Sequence, residues 1–321
     1  MRNNRFQNRV SKSPFTLPLC IVLGLLVWFC NASFKGFDFA WGTLVGWFMA
    51  VGVTCVGIET SRRFSILRVR SNMIASVWVV MVAMMPQVHG FSAGWVATLS
   101  LACSYHVMFY AYQQHEPVVA VFHTFVLLGI ACLAVPHMMV LVPLYYWYLL
   151  VFLRCLSWRG FWAGIVGLAL PVCFVLGWSI AMGDYAFLYS RAKDLSMTPW
   201  IVGQDYSWLL EYNSTKTLVL CFAALLISVG VVHYINNYYN DKIRTRMYLY
   251  IYVIQTMALA LLIMCMPGKM EMLYPLMMLG GSVMIAHFFA LTGSWISNAF
   301  FCLVMVALVC LLILNFGIWK F

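Results

Sequence analysis

Acidic residues are scarce in this sequence of 321 residues: nine Asp and Glu stand against 19 Lys and Arg, and all four types together make up 9% of the chain. A soluble domain carries roughly a quarter of its residues charged. With 64% apolar residues, the composition excludes a water-soluble globular protein and predicts one that spans a membrane. Other absences narrow the chemistry. There is no C-x-x-C pair, no H-x-x-x-H, and no glycine-rich phosphate cradle, so zinc-finger, zincin and P-loop sites are excluded. His106, His115, His123 and His137 are close in sequence, yet none stands three or four residues from another, as ligands sharing a helix face do. No metal and no cofactor is expected. Eleven cysteines all lie in or beside apolar runs and read as small apolar side chains. Gly/Ser-rich and Pro-rich linkers are missing, as are repeats of 20 to 50 residues, which predicts a single polytopic membrane domain over residues 1–321.

What the sequence has in quantity is long apolar runs. A helix needs about 20 residues to cross the hydrocarbon core. Eleven segments qualify, near 15–33, 41–60, 73–89, 93–112, 118–136, 138–154, 160–182, 217–237, 247–267, 273–292 and 297–318. The third is interrupted by Pro86, Gln87 and His89, and either spans or re-enters. The expected fold is therefore all-α and membrane-embedded, with about eleven transmembrane helices.

Basic residues orient these spans, because Lys and Arg concentrate in cytoplasmic connections. Arg2, Arg5, Arg9 and Lys12 precede the first run, which lacks a small-residue cleavage site and reads as an uncleaved anchor. Arg62, Arg63, Arg68 and Arg70 follow the second, Arg154 and Arg159 the sixth, and Lys242, Arg244 and Arg246 the eighth. Eleven alternating spans put every such cluster on one side, with the N-terminus in and the C-terminus out. Arg62, Arg63, Arg154 and Arg159 are the topology anchors. The excess positive charge thus reports threading, and the expected partner is the lipid bilayer rather than nucleic acid.

The one long polar interruption, 183–216, becomes an extracytoplasmic loop. It holds Asp184, Asp194, Asp205 and Glu211, together with Trp200 and Trp208. Aromatics argue against disorder, so the loop is expected to fold back on the outer surface. Asp184, Arg191, Trp200, Trp208 and Glu211 are the lipid-interface or substrate-binding candidates, and Asp205 is a catalytic candidate. None of the nine acids lies in the middle of a predicted span, Glu59 standing at the end of the second, which argues against ion-coupled transport; Gln255 and His287 are polar residues that do fall inside spans. Tyr145, Tyr146, Trp147 and Tyr148 read as an interfacial aromatic belt, with stacking on a sugar or isoprenoid as the alternative. Gly42 and Gly46 form a G-x-x-x-G pair suited to close helix packing.

The stretch from His89 to Pro171 carries FSAGWVATLSLACSYHVMFY and then VFHTFVLLGIACLAVPHMMVLVPLYYWYLLVFLRCLSWRGFWAGIVGLALP. With its turn from Arg154 to Trp158 and Arg159, it resembles a family of polytopic inner-membrane proteins from Bacteroidota that has no assigned activity. The resemblance implies residence in a bacterial cytoplasmic (inner) membrane. More loosely, the same stretch is similar to the central helices of membrane glycosyltransferases that use polyprenol-linked sugars. In that superfamily an acid in the first extracytoplasmic loop is central to catalysis, and Asp38, in FKGFDFAWG, stands in the corresponding loop. That likeness makes Asp38 a catalytic candidate.

Three functions are expected in order. The first is a non-catalytic component of cell-envelope biogenesis that works through envelope-assembly proteins. The second is a glycosyltransferase-like enzyme handling a lipid-linked glycan, with a polyprenol-linked substrate. The third is a small-molecule or lipid transporter.

Overall fold

The computed structural model describes residues 5–34, 41–69, 71–197, 206–207 and 215–315. Among them the chain is helical, and no strand occurs. The helices are α1 (Phe6–Lys12), α2 (Thr16–Phe34), α3 (Trp41–Phe64), α4 (Met73–Ala83), α5 (Ala93–Tyr110), α6 (Val118–Ala134), α7 (Leu141–Trp147), α8 (Trp158–Met182), α9 (Ala186–Met197), α10 (Thr215–Asn237), α11 (Ile243–Cys265), α12 (Met270–Leu291) and α13 (Trp295–Asn315).

Six helical segments of the described residues are long and apolar enough to cross a membrane: Trp41–Phe64, Trp158–Met182, Thr215–Asn240, Ile243–Cys265, Pro267–Leu291 and Trp295–Asn315. Counting α1 with the first part of α2 as one span, despite an 89° bend between them, gives seven. This is an α-helical membrane protein, but six is fewer than the eleven spans that hydropathy suggests. Part of the difference lies in helix breaks that a hydropathy window does not detect, and part in α5 and α6, unbroken helices of 18 and 17 residues that fall outside the six. The third segment, for example, is helical only over the 11 residues Met73–Ala83. At 1.5 Å per residue that is about 16 Å, half of the roughly 30 Å core.

The chain divides into two compact units, with boundaries inside α11 and α12. The first comprises the described parts of Met1–Phe91, Asp205–Val253 and Met278–Phe321; the second comprises those of Ser92–Gln204 and Ile254–Met277.

In the first unit, α4 packs on α2 and α3. Its early end follows from Pro86, which lacks an N–H to donate and starts a 3-10 turn, Pro86–Val88. Carbonyls freed by the break need other donors, because hydrocarbon offers none. The His89 ring lies with Nε2 3.1 Å from the Ala83 carbonyl and stacks on Trp28 at 4.0 Å. The Asn315 amide donates to the Met84 carbonyl at 2.7 Å. The Gly42 and Gly46 pair meets this broken end: the Phe91 N–H donates to the Gly42 carbonyl at 2.9 Å, and a Cβ on Gly46 would stand 2.5 Å from the His89 carbonyl oxygen. The short helix α1 ties to the α12–α13 turn. Buried Gln7 donates to the Phe289 carbonyl at 2.7 Å and the Thr292 hydroxyl at 2.9 Å, while its own N–H bonds Asn298 Oδ1 at 3.0 Å. The Ser71 hydroxyl bonds the Ser11 carbonyl.

In the second unit, α6 lies between α5 and α8. Small residues set the α6–α8 approach: a Cβ on Gly167 would stand 2.6 Å from the Phe122 carbonyl oxygen, and one on Gly129 would stand 2.8 Å from that of Leu168. Helix α7 passes into a π-helical stretch, Tyr148–Phe152, closed by the Leu153 N–H to the Tyr148 carbonyl at 2.9 Å. Here the interfacial-belt reading of the aromatic run needs correction. Tyr145 and Tyr148 are fully buried, with Tyr145 stacked on Tyr105 and the Tyr148 hydroxyl donating to Gln255 at 3.1 Å. Of the four, Trp147 is the one that is largely exposed. Position along the helix, not membrane depth, sorts them.

Candidate functional site

Among its described residues the first unit buries one carboxylate. Asp241 follows a 3-10 turn, Tyr238–Asn240, that ends α10, and its N–H bonds the Tyr238 carbonyl at 3.0 Å. Arg246, one turn into α11, donates its Nε to the Asp241 backbone carbonyl at 2.8 Å, and the Tyr234 hydroxyl donates to the Arg246 carbonyl at 3.2 Å. These bonds pin the turn, and the Asp241 side chain, only 1% exposed, faces inward.

Two side chains from distant parts of the sequence meet it. Arg68, on the connection between α3 and α4, brings Nε to 2.7 Å from Oδ1. His287, in the last turns of α12, brings Nε2 to 3.2 Å from Oδ2 and is fully buried. The histidine tautomer is assigned from its partner: an ionised carboxylate accepts, so Nε2 carries the hydrogen. Nδ1 of His287 then has no hydrogen-bond partner among the described residues. The His233 ring stands 5.7 Å from that of His287, and Tyr234 meets His287 edge-on at 5.5 Å. Nearby, the Thr245 hydroxyl reaches the Ser65 carbonyl at 3.5 Å, and Phe64 meets Tyr248 edge-on at 5.6 Å.

The electrostatics are those of a compensated buried pair. A carboxylate removed from water costs several kcal/mol unless it is matched, and Arg68 supplies the opposite charge while His287 supplies a hydrogen-bond donor. The match is imperfect. Asp241 Oδ1 lacks an aligned hydrogen bond despite the short approach of Arg68, so the guanidinium acts there as a charge rather than as a fork. The arrangement can hold, release or relay a proton. Among the described residues no group of three His, Cys, Asp or Glu is close enough to hold a metal ion.

Of the residues singled out from sequence, Asp38, Trp200, Asp205, Trp208 and Glu211 lie outside the described residues. Asp184 is exposed and accepts the Ala186 N–H at 2.8 Å, which starts α9. Arg191 pairs with Asp194 at 3.6 Å and lies 5.0 Å from the centre of the Phe187 ring. Asp194 also meets Lys269 at 3.7 Å, and α9 packs on residues 136–140. Arg191 thus belongs to an ion-pair group in the second unit, whereas Asp184 closes a side-chain turn just ahead of α9. Arg62, Arg63, Arg154 and Arg159 are all exposed at helix ends; Arg63 faces Glu59 at 4.0 Å and Arg159 faces Glu116 at 3.5 Å.

Sequence reasoning missed Asp241. Beside Lys242 and Arg244 it reads as one more charge in a solvated turn, and no periodicity links positions 68, 241 and 287. The one available signal was His287, a titratable side chain inside an apolar run. No protein-family model matches the chain, and no curated protein and no solved structure matches it.

Proposed function

We propose that the chain is a small-molecule or lipid transporter of a bacterial cytoplasmic membrane, crossing it eleven times with the N-terminus inside and the C-terminus outside. The observation that carries the transporter reading is the carboxylate of Asp241, buried between Arg68 and His287. Ionisable groups inside membrane proteins are costly and concentrate along substrate, ion and proton paths. Interrupted helices support the same reading: α4 ends at a proline turn and α7 runs into a π-helical stretch, and broken backbone at membrane depth recurs where transporters bind. Neither the glycosyltransferase-like reading nor that of a non-catalytic envelope component has a specific contact behind it.

Contacts within the first unit support the threading. Residues 7–11, 65–71, 241–246 and 287–298 connect to one another, as they must if the first, second, eighth and tenth spans have these ends on one side. The eleven-span count treats residues 73–89 and 138–154 as broken spans, each a short helix with a 3-10 or π continuation. Placement in the cytoplasmic membrane rests on the family resemblance.

Transport is tested with purified protein in liposomes carrying a lumenal pH dye, challenged with pH steps, small charged solutes and fluorescent lipids. Wild-type protein is expected to move protons, solute or lipid faster than empty liposomes, and Asp241→Asn to reduce that excess at least tenfold while remaining monodisperse. Liposomes with and without protein behaving alike in all three assays would rule the reading out.

A further inference from the structure

We infer that Asp241 and His287 form a proton-binding site whose resting counter-cation is the chain's own Arg68, so that Arg68 and a proton exchange at one buried carboxylate. Its use in transport rests on the function proposed above, whereas the exchange itself does not.

The two partners of Asp241 are held differently. His287 is fully buried on a helix. Arg68 sits on a non-helical connection with 36% of its side chain exposed. It touches the carboxylate through one nitrogen, and that oxygen has no aligned hydrogen bond. Of the pair, Arg68 is the member that can leave, because water is already at its side. Asp241 cannot follow, since its turn is fixed by backbone bonds to Tyr238 and Arg246.

The exchange conserves charge. At rest the site holds one carboxylate and one guanidinium. When Arg68 swings into water it keeps its charge, and an ionised Asp241 left behind would be a lone buried anion. Desolvation disfavours the charged form, so one proton enters from water and bonds to the carboxylate–imidazole pair, and the site is neutral again. The pair shares that proton: either Asp241 becomes the acid and donates to His287 Nε2, or His287 becomes imidazolium beside the carboxylate. No bond other than N–H or O–H changes, and no other reactant is needed.

The surrounding groups leave this pair as the acceptor. From α10 come His233 and Tyr234, and His233 Nδ1 already faces the Asn237 amide at 3.2 Å. From α11 comes Arg246, whose Nε is bound to the Asp241 carbonyl. Arg244 turns away to the Tyr248 hydroxyl at 2.8 Å. Among the described residues no second carboxylate makes an ion pair with Arg68.

The test uses full-length protein in lipid nanodiscs at neutral pH. Infrared spectroscopy detects the carbonyl stretch of a protonated carboxylic acid, and NMR of ¹⁵N-labelled histidine detects imidazolium. Arg68→Gln should show one of the two signals in excess of wild type and of Arg68→Lys, and the double variant Arg68→Gln, Asp241→Asn should lose that excess. Absence of any excess in Arg68→Gln, or its survival in the double variant, would overturn the proposal. A second measurement needs no variant: phenylglyoxal modification of Arg68, mapped by mass spectrometry and scaled to that of exposed Arg62, should rise several-fold as the pH is lowered. A pH-independent ratio would also overturn it. Proton exchange without flux in liposomes would sink the transporter function alone, and flux without exchange would sink this site alone.

Discussion

Missing Cβ atoms decide how closely α6 and α8 approach. Gly167 faces the Phe122 carbonyl oxygen and Gly164 faces the Tyr146 hydroxyl, so two backbones pass where ordinary side chains would hold them apart. The neighbour at Gly167 is backbone and cannot rotate away. Gly167→Val should therefore cost about 1–3 kcal/mol, as overpacked sites do, and denaturant unfolding in bicelles would measure it. Gly57 has open space around it, and Gly57→Val in the same assay should change little. Glycine's role as a spacer was legible in sequence, at Gly42 and Gly46, but what each spacer faces was not. Gly46 meets the broken end of α4 rather than a helix, because Pro86 has already turned the chain. Asp241 was illegible for a related reason: burial is set by Arg68 and His287, and neither is near it in sequence.

Among the elements, α4 departs furthest from expectation. Its apolar run and its Pro86 were both visible, and hydropathy sees only that the run is long enough. What makes an 11-residue helix with a turn tolerable in an apolar surrounding is the donation of two side chains to carbonyls that lost their helical partners. The contribution of one of them is separable. His89→Phe keeps an aromatic ring stacked on Trp28 but removes the bond to the Ala83 carbonyl. A buried acceptor left without a donor costs about 1–3 kcal/mol, so thermal unfolding in detergent should show that loss. No loss would mean the Ala83 carbonyl finds water instead. The aromatic run at 145–148 was misread for a complementary reason, since interfacial belts and buried tyrosines have the same composition and differ only in what faces them.

For the molecule as a whole, helical class and membrane residence were readable from composition alone, whereas the span number turns on how the shorter apolar helices Met73–Ala83, Val118–Ala134 and Pro136–Phe152 are counted. Charge sorting predicts an orientation, and the test of it is direct. In a background without reactive native cysteines, Ser65→Cys and Ser207→Cys are treated in intact cells with a membrane-impermeant thiol reagent. Labelling is expected at position 207 and not at 65; labelling at 65 reverses the threading. The contacts of the first unit also bear on how the chain is made. Gln7 bonds a residue 285 positions later, and Asn315 closes a carbonyl 231 positions earlier, so that unit is stitched from segments far apart in the sequence. Helices enter the bilayer in the order in which the ribosome delivers them, and domains tend to complete from the N-terminal side during synthesis. Here the order is inverted. Helices α1 and α4 wait with unmatched polar groups until α12 and α13 arrive, while most of the second unit is contiguous and can close first. A ribosome stalled anywhere before α13 therefore leaves the Met84 carbonyl without the Asn315 amide, at the end of a helix made more than two hundred residues earlier.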